Sequence, residues 1–176
     1  MAEFGANYPC FKAAEAVSGV VLGKLVSANL TVNLASGELF ADDAIAESVA
    51  EFSSGSLAME TDDLVDANVA LVFGATISGG AIVFNKDDTP PEGKLAYYKV
   101  LLRNGVKYYK AFYYPRVKAQ LGNDNAQTRG SSITFQTANI TFTVMTDDNG
   151  DWRKTKTFES AADAETWINT QCTITS

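Results

Sequence analysis

The Asn104-Gly105 dipeptide is the feature of this sequence that most constrains its fold, because residues of high strand propensity flank it on both sides. Asn-Gly is the preferred pair for the two-residue type I′ turn that joins antiparallel strands. It predicts a hairpin that pairs residues 94–103 with residues 106–114 and sets Lys99 directly opposite Lys110. Both faces of this hairpin carry aromatic and aliphatic side chains. We therefore expect one face to pack in the core and the other to meet another subunit.

Alternation of apolar and polar side chains predicts further strands. Residues 26–34 alternate strictly, which is typical of a half-buried strand. Residues 44–59 are less regular, and Gly55 predicts a bend or bulge within them. Residues 131–145 alternate with a change of phase, which predicts a bulge near residues 136–139. The chain is thus expected to consist largely of strands.

The middle of the chain carries the signals of one short helix and one weaker strand. Residues 62–73 predict the helix, with Thr61 or Asp62 as its capping residue, acidic residues in its first turn and Gly74 as its stop. Residues 76–84 predict the strand, which contains two consecutive glycines.

The C-terminal part predicts a turn, a hairpin and a helix. Residues 147–150 read Asp-Asp-Asn-Gly, a turn that leads into residues 152–158 and predicts another hairpin. Ser160 and Asp163 have the spacing of a capping box for a helix that extends to about residue 170. This helix would bury one stripe of side chains, Ala164, Trp167 and Ile168.

These elements predict a single domain, residues 1–176, of the mainly β class. We expect an antiparallel β-sandwich or partial barrel with a C-terminal α-helix, residues 160–170, and one short internal helix. Residues 1–18 are expected to form an N-terminal arm. Residues 85–93 are expected to form a loop, because they combine two prolines with charged residues.

The composition removes most catalytic chemistry. The sequence contains no histidine, the commonest general base and transition-metal ligand. Cys10 and Cys172 lie near opposite ends of the chain, and we expect two reduced, inert thiols. Four pairs of adjacent carboxylates occur, mostly in turn-like contexts rather than facing each other across a substrate. We therefore expect no enzymatic activity, no metal and no cofactor.

Charge is distributed unevenly along the chain. Residues 1–93 hold three basic and fourteen acidic residues, a net charge of −11, whereas residues 94–129 carry +7 and residues 130–176 carry −3. These blocks are either ordinary solvated surface or an acidic and a basic face that associate head to tail. The aromatic and basic hairpin could also stack on single-stranded nucleic acid, but the overall charge of −7 favours packing instead.

No membrane segment or export signal is expected. The longest apolar run, residues 17–26, is interrupted by glycines, a serine and Lys24, so it does not predict a membrane span. The N-terminus lacks a basic stretch followed by an apolar one. The sequence predicts a soluble protein that is made and used without export.

Several motifs resemble the major tail tube protein of long-tailed, non-contractile (siphovirus-type) bacteriophages. They are VLGKLVSANLTVN at residues 21–33, ELFADDAIAES at 38–48, FSSGSLAMETDDL at 52–64, NGVKYYKAFYYPRV at 104–117 and TRGSSITFQT at 128–137. The resemblance covers nearly the whole chain, and none of the motifs is a catalytic signature.

The resemblance implies a structural virion protein. Members of that family fold as a β-sandwich with a flanking helix, form hexameric rings and stack those rings into a hollow tail. The implied partners are further copies of the chain, a tape-measure protein in the lumen, and tail terminator and distal tail proteins. Double-stranded DNA would pass through without specific binding, since an acidic lumen repels it. The implied location is the virion tail, assembled in the host cytoplasm.

Charge and pattern suggest which residues would meet neighbouring subunits. The candidates for the interface between subunits are Asp42, Asp43, Glu47, Lys99, Arg103, Lys110, Tyr114 and Arg116. The candidates for a loop between rings are Asp87, Asp88, Pro90 and Pro91. Two alternatives remain at this stage: the tube protein of a tailocin or secretion system, and a monomeric β-sandwich binding module, for instance for carbohydrate.

Overall fold

The structure is a computed structural model that describes residues 2–41, 44–122 and 137–175. These residues form ten strands and two helices. In chain order they are β1 Ala2–Ala13, β2 Val20–Val21, β3 Leu25–Ala41, β4 Ala44–Thr61, α1 Asp66–Phe73, β5 Thr76–Ser78, β6 Ala81–Val83, β7 Glu92–Arg103, β8 Val106–Gln120, β9 Ala138–Val144, β10 Lys154–Phe158 and α2 Ala161–Cys172.

The main sheet is antiparallel throughout and follows the order β2-β1-β7-β8-β9-β4-β3. Strand β8 joins the two halves of this sheet. Its residues 117–120 pair with β9, and its residues 109–113 pair with β10. Among the described strands, the sheet does not close into a barrel. The predicted fold class is confirmed: a mainly β, antiparallel, sandwich-type domain with a C-terminal helix and a short internal one.

The central hairpin is confirmed in detail. Asn104 and Gly105 both have positive φ angles, 50° and 80°, as a type I′ turn requires. The turn places Arg103 opposite Val106 and Lys99 opposite Lys110, which is the predicted register.

Two buried clusters lie on opposite faces of this hairpin. Aromatic residues from β1, β7, β8 and β9 dominate the first, among them Phe11, Tyr97, Phe112, Tyr114 and Phe142. The second lies between the sheet and α2 and combines the small residues Ala96, Ala111 and Ala164 with Ile168 and the rings of Tyr98 and Tyr113. The expectation that this second face meets another subunit is therefore wrong. The C-terminal helix of the same chain covers it, because its apolar stripe fits the sheet.

Helix α1 ends where the sequence predicts but begins later. Gly74 adopts the left-handed conformation with φ of 70° and stops the helix. The start lies at Asp66 rather than near Asp62, because the Asp62 carboxylate is engaged elsewhere. It accepts hydrogen bonds from the backbone N–H groups of Lys24 at 2.7 Å and Asp63 at 2.8 Å. These bonds lower the pKa of Asp62 and fix residues 62–65 as a connection.

Two hairpin predictions need correction. Residues 76–84 form two short strands, β5 and β6, rather than one, because Gly79 and Gly80 turn the chain with positive φ angles. After the turn at residues 147–150 the chain does not fold back on β9. Strand β10 pairs with β8 instead, so this segment forms no hairpin.

The remaining predicted boundaries shift by a few residues. Most of the predicted N-terminal arm is strand β1, whose Cys10 and Phe11 are fully buried. The predicted loop 85–93 ends at Pro91, because Glu92 already belongs to β7. The irregularity in β4 lies beside Gly55, at Ser53, where the pairing with β3 shifts by one residue. The predicted bulge near residues 136–139 begins outside the described residues.

Candidate functional site

A long two-stranded projection is the most unusual feature of the fold. Strands β3 and β4 continue together well beyond the point where β9 stops pairing with β4 at Gly55. We call residues 33–41 and 44–54 the ribbon. With nine residues in its β3 strand, the ribbon extends about 30 Å. Residues 31–39 and 47–51 are all exposed, so this part of the chain packs against neither face of the sandwich.

Among the described residues, neither edge of the ribbon has a paired neighbour strand. Strand β3 is the last strand of the sheet, and β4 pairs with β9 only through residues 55–61. The outward N–H and C=O groups are therefore open to another strand. Apolar side chains add to this, with Leu34, Leu39 and Val49 more than half exposed at 59%, 58% and 52%. Such a two-stranded hairpin is only marginally stable in water by itself.

An aromatic stack anchors the base of the ribbon. The rings of Phe52 and Trp152 lie parallel, with centroids 4.4 Å apart and an interplanar angle of 5°. The guanidinium of Arg153 lies over the Trp152 ring, 4.8 Å from its centroid. The ribbon therefore leaves the sandwich from a rigid base.

All charged residues of the ribbon segment are acidic. Residues 33–54 contain five acidic residues and no basic one. Glu47 and Glu51 are exposed on β4, and the register pairs Glu47 with Leu39. Since side chains alternate along a strand, Glu47, Val49 and Glu51 project from the same face, which we call the acidic face. Asp42 and Asp43 of the predicted interface lie outside the described residues.

A second candidate surface lies at the turn end of the β7–β8 hairpin. Lys99, Arg103 and Lys110 share the face of the hairpin that carries Tyr97 and Phe112 nearer the core. Together with Arg153 from the loop before β10 they form what we call the basic surface. Within the described residues, none of these four side chains forms an ion pair.

The aromatic rings beneath the basic surface hold its cations in place. The ammonium groups of Lys99 and Lys110 each lie 5.4 Å from the centroid of Phe112, and the guanidinium of Arg153 lies 5.8 Å from it. Arg103 lies 5.7 Å from the centroid of Tyr108. Each contact is a cation–π interaction, and three of them converge on a single ring. The basic surface is thus a concentrated positive charge on a fixed platform.

Two predicted interface residues, Tyr114 and Arg116, make contacts within their own subunit. Tyr114 has none of its surface exposed, and its hydroxyl lies 3.4 Å from that of Tyr97, whose pKa burial raises. The Arg116 guanidinium donates two hydrogen bonds to the Glu92 carboxylate, at 2.9 and 3.0 Å. These bonds lower the pKa of Glu92 and raise the pKa of Arg116. Tyr114 is therefore inaccessible to a partner subunit, whereas the Arg116 side chain is 42% exposed and its role at an interface stays a prediction.

The loop predicted to act between rings is held by its own turn. The Asp88 carboxylate accepts a hydrogen bond from the Asn85 N–H at 2.6 Å, and the Asp87 N–H donates to the Asn85 side chain at 3.0 Å. Asp87 is exposed, whereas Asp88, Pro90 and Pro91 are half-buried. The role of this loop between rings stays a prediction.

Sequence analysis missed Arg153, Glu51 and the Phe52–Trp152 stack. Arg153 lies in a C-terminal block of net negative charge, so the distribution of charge along the chain did not indicate it as part of a basic surface. Its position beside Phe112 depends on the pairing of β10 with β8, which no local pattern encodes. The signal that could have drawn attention to it is its place directly after Trp152, in a turn.

The described residues offer little for metal binding or for thiol chemistry. No cluster of three or more His, Cys, Asp or Glu side chains in these ranges could hold a metal ion. The thiols of Cys10 and Cys172 are both fully buried, and burial raises the pKa of each, that of Cys172 to about 12. Across the described ranges, neither helix combines the length and apolar character that a membrane span requires.

Neither a protein-family model nor a curated protein matches this chain. The resemblance to tail tube proteins therefore stays a prediction from the motifs named above.

Proposed function

We propose that this chain is a structural subunit that assembles with copies of itself into stacked rings, forming a hollow tube of the bacteriophage tail type. The observation that carries the proposal is the ribbon. It exposes strand edges and apolar side chains along about 30 Å. A two-stranded element of this kind is stable when another chain completes its sheet.

The asymmetry of the subunit supports closed or stacked assemblies over a simple dimer. The ribbon is acidic, and the basic surface lies on a different element of the same chain. When a contact between two unlike surfaces is not reciprocated within one pair of copies, it is heterologous, so it repeats from copy to copy and produces rings or filaments. A dimer formed by ribbon against ribbon would bring two acidic elements together, which like-charge repulsion disfavours.

A monomeric binding module accounts less well for these features. Monomeric binding does not require a projecting ribbon with exposed apolar side chains. An exposed strand edge of this length is an aggregation hazard unless a partner covers it. The proposal carries the further expectations of hexameric rings around a tape-measure protein, terminator and distal proteins at the tube ends, and DNA passing through an acidic lumen.

Removal of the ribbon tests the proposal. Leu34 and Phe52 are directly paired, so replacing residues 35–51 with Asn-Gly closes a two-residue hairpin and keeps the Phe52–Trp152 stack. We expect sedimentation velocity to show large assemblies for the full chain and a monomer for the shortened one. Both should unfold at similar temperatures, because residues 35–39 and 47–51 of the deleted segment are exposed. A full chain that stays monomeric at high concentration, or a shortened chain that still assembles, contradicts the proposal.

A further inference from the structure

We propose that the basic surface is the docking site for the acidic face of the ribbon from a second copy of this chain. This inference rests on the proposed function and specifies which two surfaces meet. The proposed contact joins Lys99, Arg103, Lys110 and Arg153 of one copy to Glu47, Val49 and Glu51 of the other.

The two surfaces have the same spacing of charged residues. On the ribbon, Glu47 and Glu51 lie four residues apart on one face of β4, with the exposed Val49 between them. On β7, Lys99 and Arg103 lie four residues apart on one face, with the buried Leu101 between them. Residues four apart on a strand are about 14 Å apart, so both outer charges can pair at the same time.

The basic surface keeps a net positive charge within its own chain: Glu3 of β1 lies opposite Leu101 on the same face, but forms no ion pair with the described cations there. Lys99 and Lys110 are directly opposed across the hairpin, and like charges in that position destabilise a sheet. Arg153 adds a third positive charge on the same Phe112 ring. Carboxylates from an incoming ribbon would neutralise this cluster while leaving each cation over its ring.

The position of Arg153 connects the two surfaces. It lies over both Phe112 in the basic surface and Trp152, which stacks on the base of the ribbon of the same chain. An incoming ribbon would therefore dock beside the point where the receiving subunit's own ribbon begins. Each copy would donate one ribbon and receive one, which is the arrangement that propagates a heterologous contact.

Charge reversal on both sides tests the pairing. Lys99→Glu with Lys110→Glu makes the receiving surface acidic, and Glu47→Lys with Glu51→Lys makes the ribbon basic. We expect each double variant to need about tenfold or more protein for half-maximal assembly in sedimentation. The quadruple variant, with both surfaces reversed, should regain assembly close to that of the unmodified chain.

A matched control separates this effect from net charge. Lys107 and Lys156 lie on the opposite face of the same sheet, so Lys107→Glu with Lys156→Glu changes the charge equally without touching the basic surface. This control should assemble like the unmodified chain. Thermal unfolding reports whether the Lys99→Glu with Lys110→Glu variant folds. If it does not, the milder Lys99→Gln with Lys110→Gln variant replaces it, and we expect the same assembly defect in weaker form.

The outcomes distinguish this inference from the proposed function. An unmodified chain that never assembles refutes both. An unmodified chain that assembles, with reversed variants that assemble equally well, refutes only the docking site. A Lys99→Glu and Lys110→Glu variant that assembles normally but loses retardation of duplex DNA in a gel would assign the surface to nucleic acid and also overturn the inference.

Discussion

Truncation of Ile168 tests whether α2 belongs to the subunit core. Ile168 is a fully buried residue of α2 and belongs to the same cluster as the small side chains of Ala96, Ala111 and Ala164. Because these neighbours lie on β7, β8 and the helix itself, they cannot extend to fill the space that Ile168→Ala would leave. Truncating a large buried aliphatic side chain to alanine costs about 2–5 kcal/mol, and we expect about 3 kcal/mol here.

That loss should be visible in thermal unfolding. For a chain of this length, each 1 kcal/mol lowers the melting temperature by about 2–4 °C, so Ile168→Ala should lower it by about 6–12 °C. Thr170→Ala is the matched control, because Thr170 is exposed on the same helix. We expect its melting temperature to stay within about 2 °C of the unmodified chain.

Two results would refute this reasoning. If Ile168→Ala melts like the unmodified chain, α2 does not cover the sheet in solution. If it melts normally but fails to assemble, this face meets another subunit. Trp167 is half-buried against Tyr113 and Phe158, so its truncation should cost less than the loss of a fully buried ring.

Three further predictions address the turn, the thiols and one ion pair. Gly105→Ala should cost about 1–2 kcal/mol in urea unfolding, because φ is 80° there and nothing lies within 4 Å of the new methyl group. Cys10 and Cys172 should react slowly with a thiol reagent at about pH 8 in the folded protein and readily in denaturant, because burial raises both pKa values. Arg116 lowers the pKa of Glu92, so this carboxylate stabilises the fold above its ordinary pKa of about 4.5 and less as pH falls. In the Glu92→Gln variant, the melting temperature should therefore fall less steeply as the pH is lowered.

Each of these predictions has a contradicting result. An unchanged free energy of unfolding for Gly105→Ala would mean that the turn is not type I′. Rapid labelling of the folded thiols would mean that α2 opens easily. An identical acid dependence in the Glu92→Gln variant would mean that the ion pair with Arg116 does not persist in solution.

Local signals in the sequence were sufficient for the central hairpin, the C-terminal end of α1 and the start of α2. Asn104-Gly105 fixes a turn that determines its own register, so Lys99 opposite Lys110 follows without knowledge of the remaining fold. Ser160 caps α2 by accepting a hydrogen bond from the Asp163 N–H at 3.2 Å, as the capping box predicts. These features depend only on residues close together in the chain.

Features that depend on distant residues were not predictable in the same way. The start of α1 moves because Asp62 accepts a hydrogen bond from Lys24, 38 residues earlier. Strand β10 pairs with β8 rather than β9, which no turn motif encodes. At the candidate site, Tyr114 and Arg116 belong to an aromatic and basic run that looks like surface. The packing of β8 instead buries Tyr114 in the core, and Arg116 pairs with Glu92.

The most direct test of the central claim is negative-stain electron microscopy of the purified full chain over a range of concentrations. Self-assembly through the ribbon predicts rings of uniform diameter, or tubes of stacked rings, whose abundance rises with concentration. It also predicts fewer of them as salt increases, because the proposed contact joins opposite charges. Fields of separate monomers at every concentration and salt level would contradict the account.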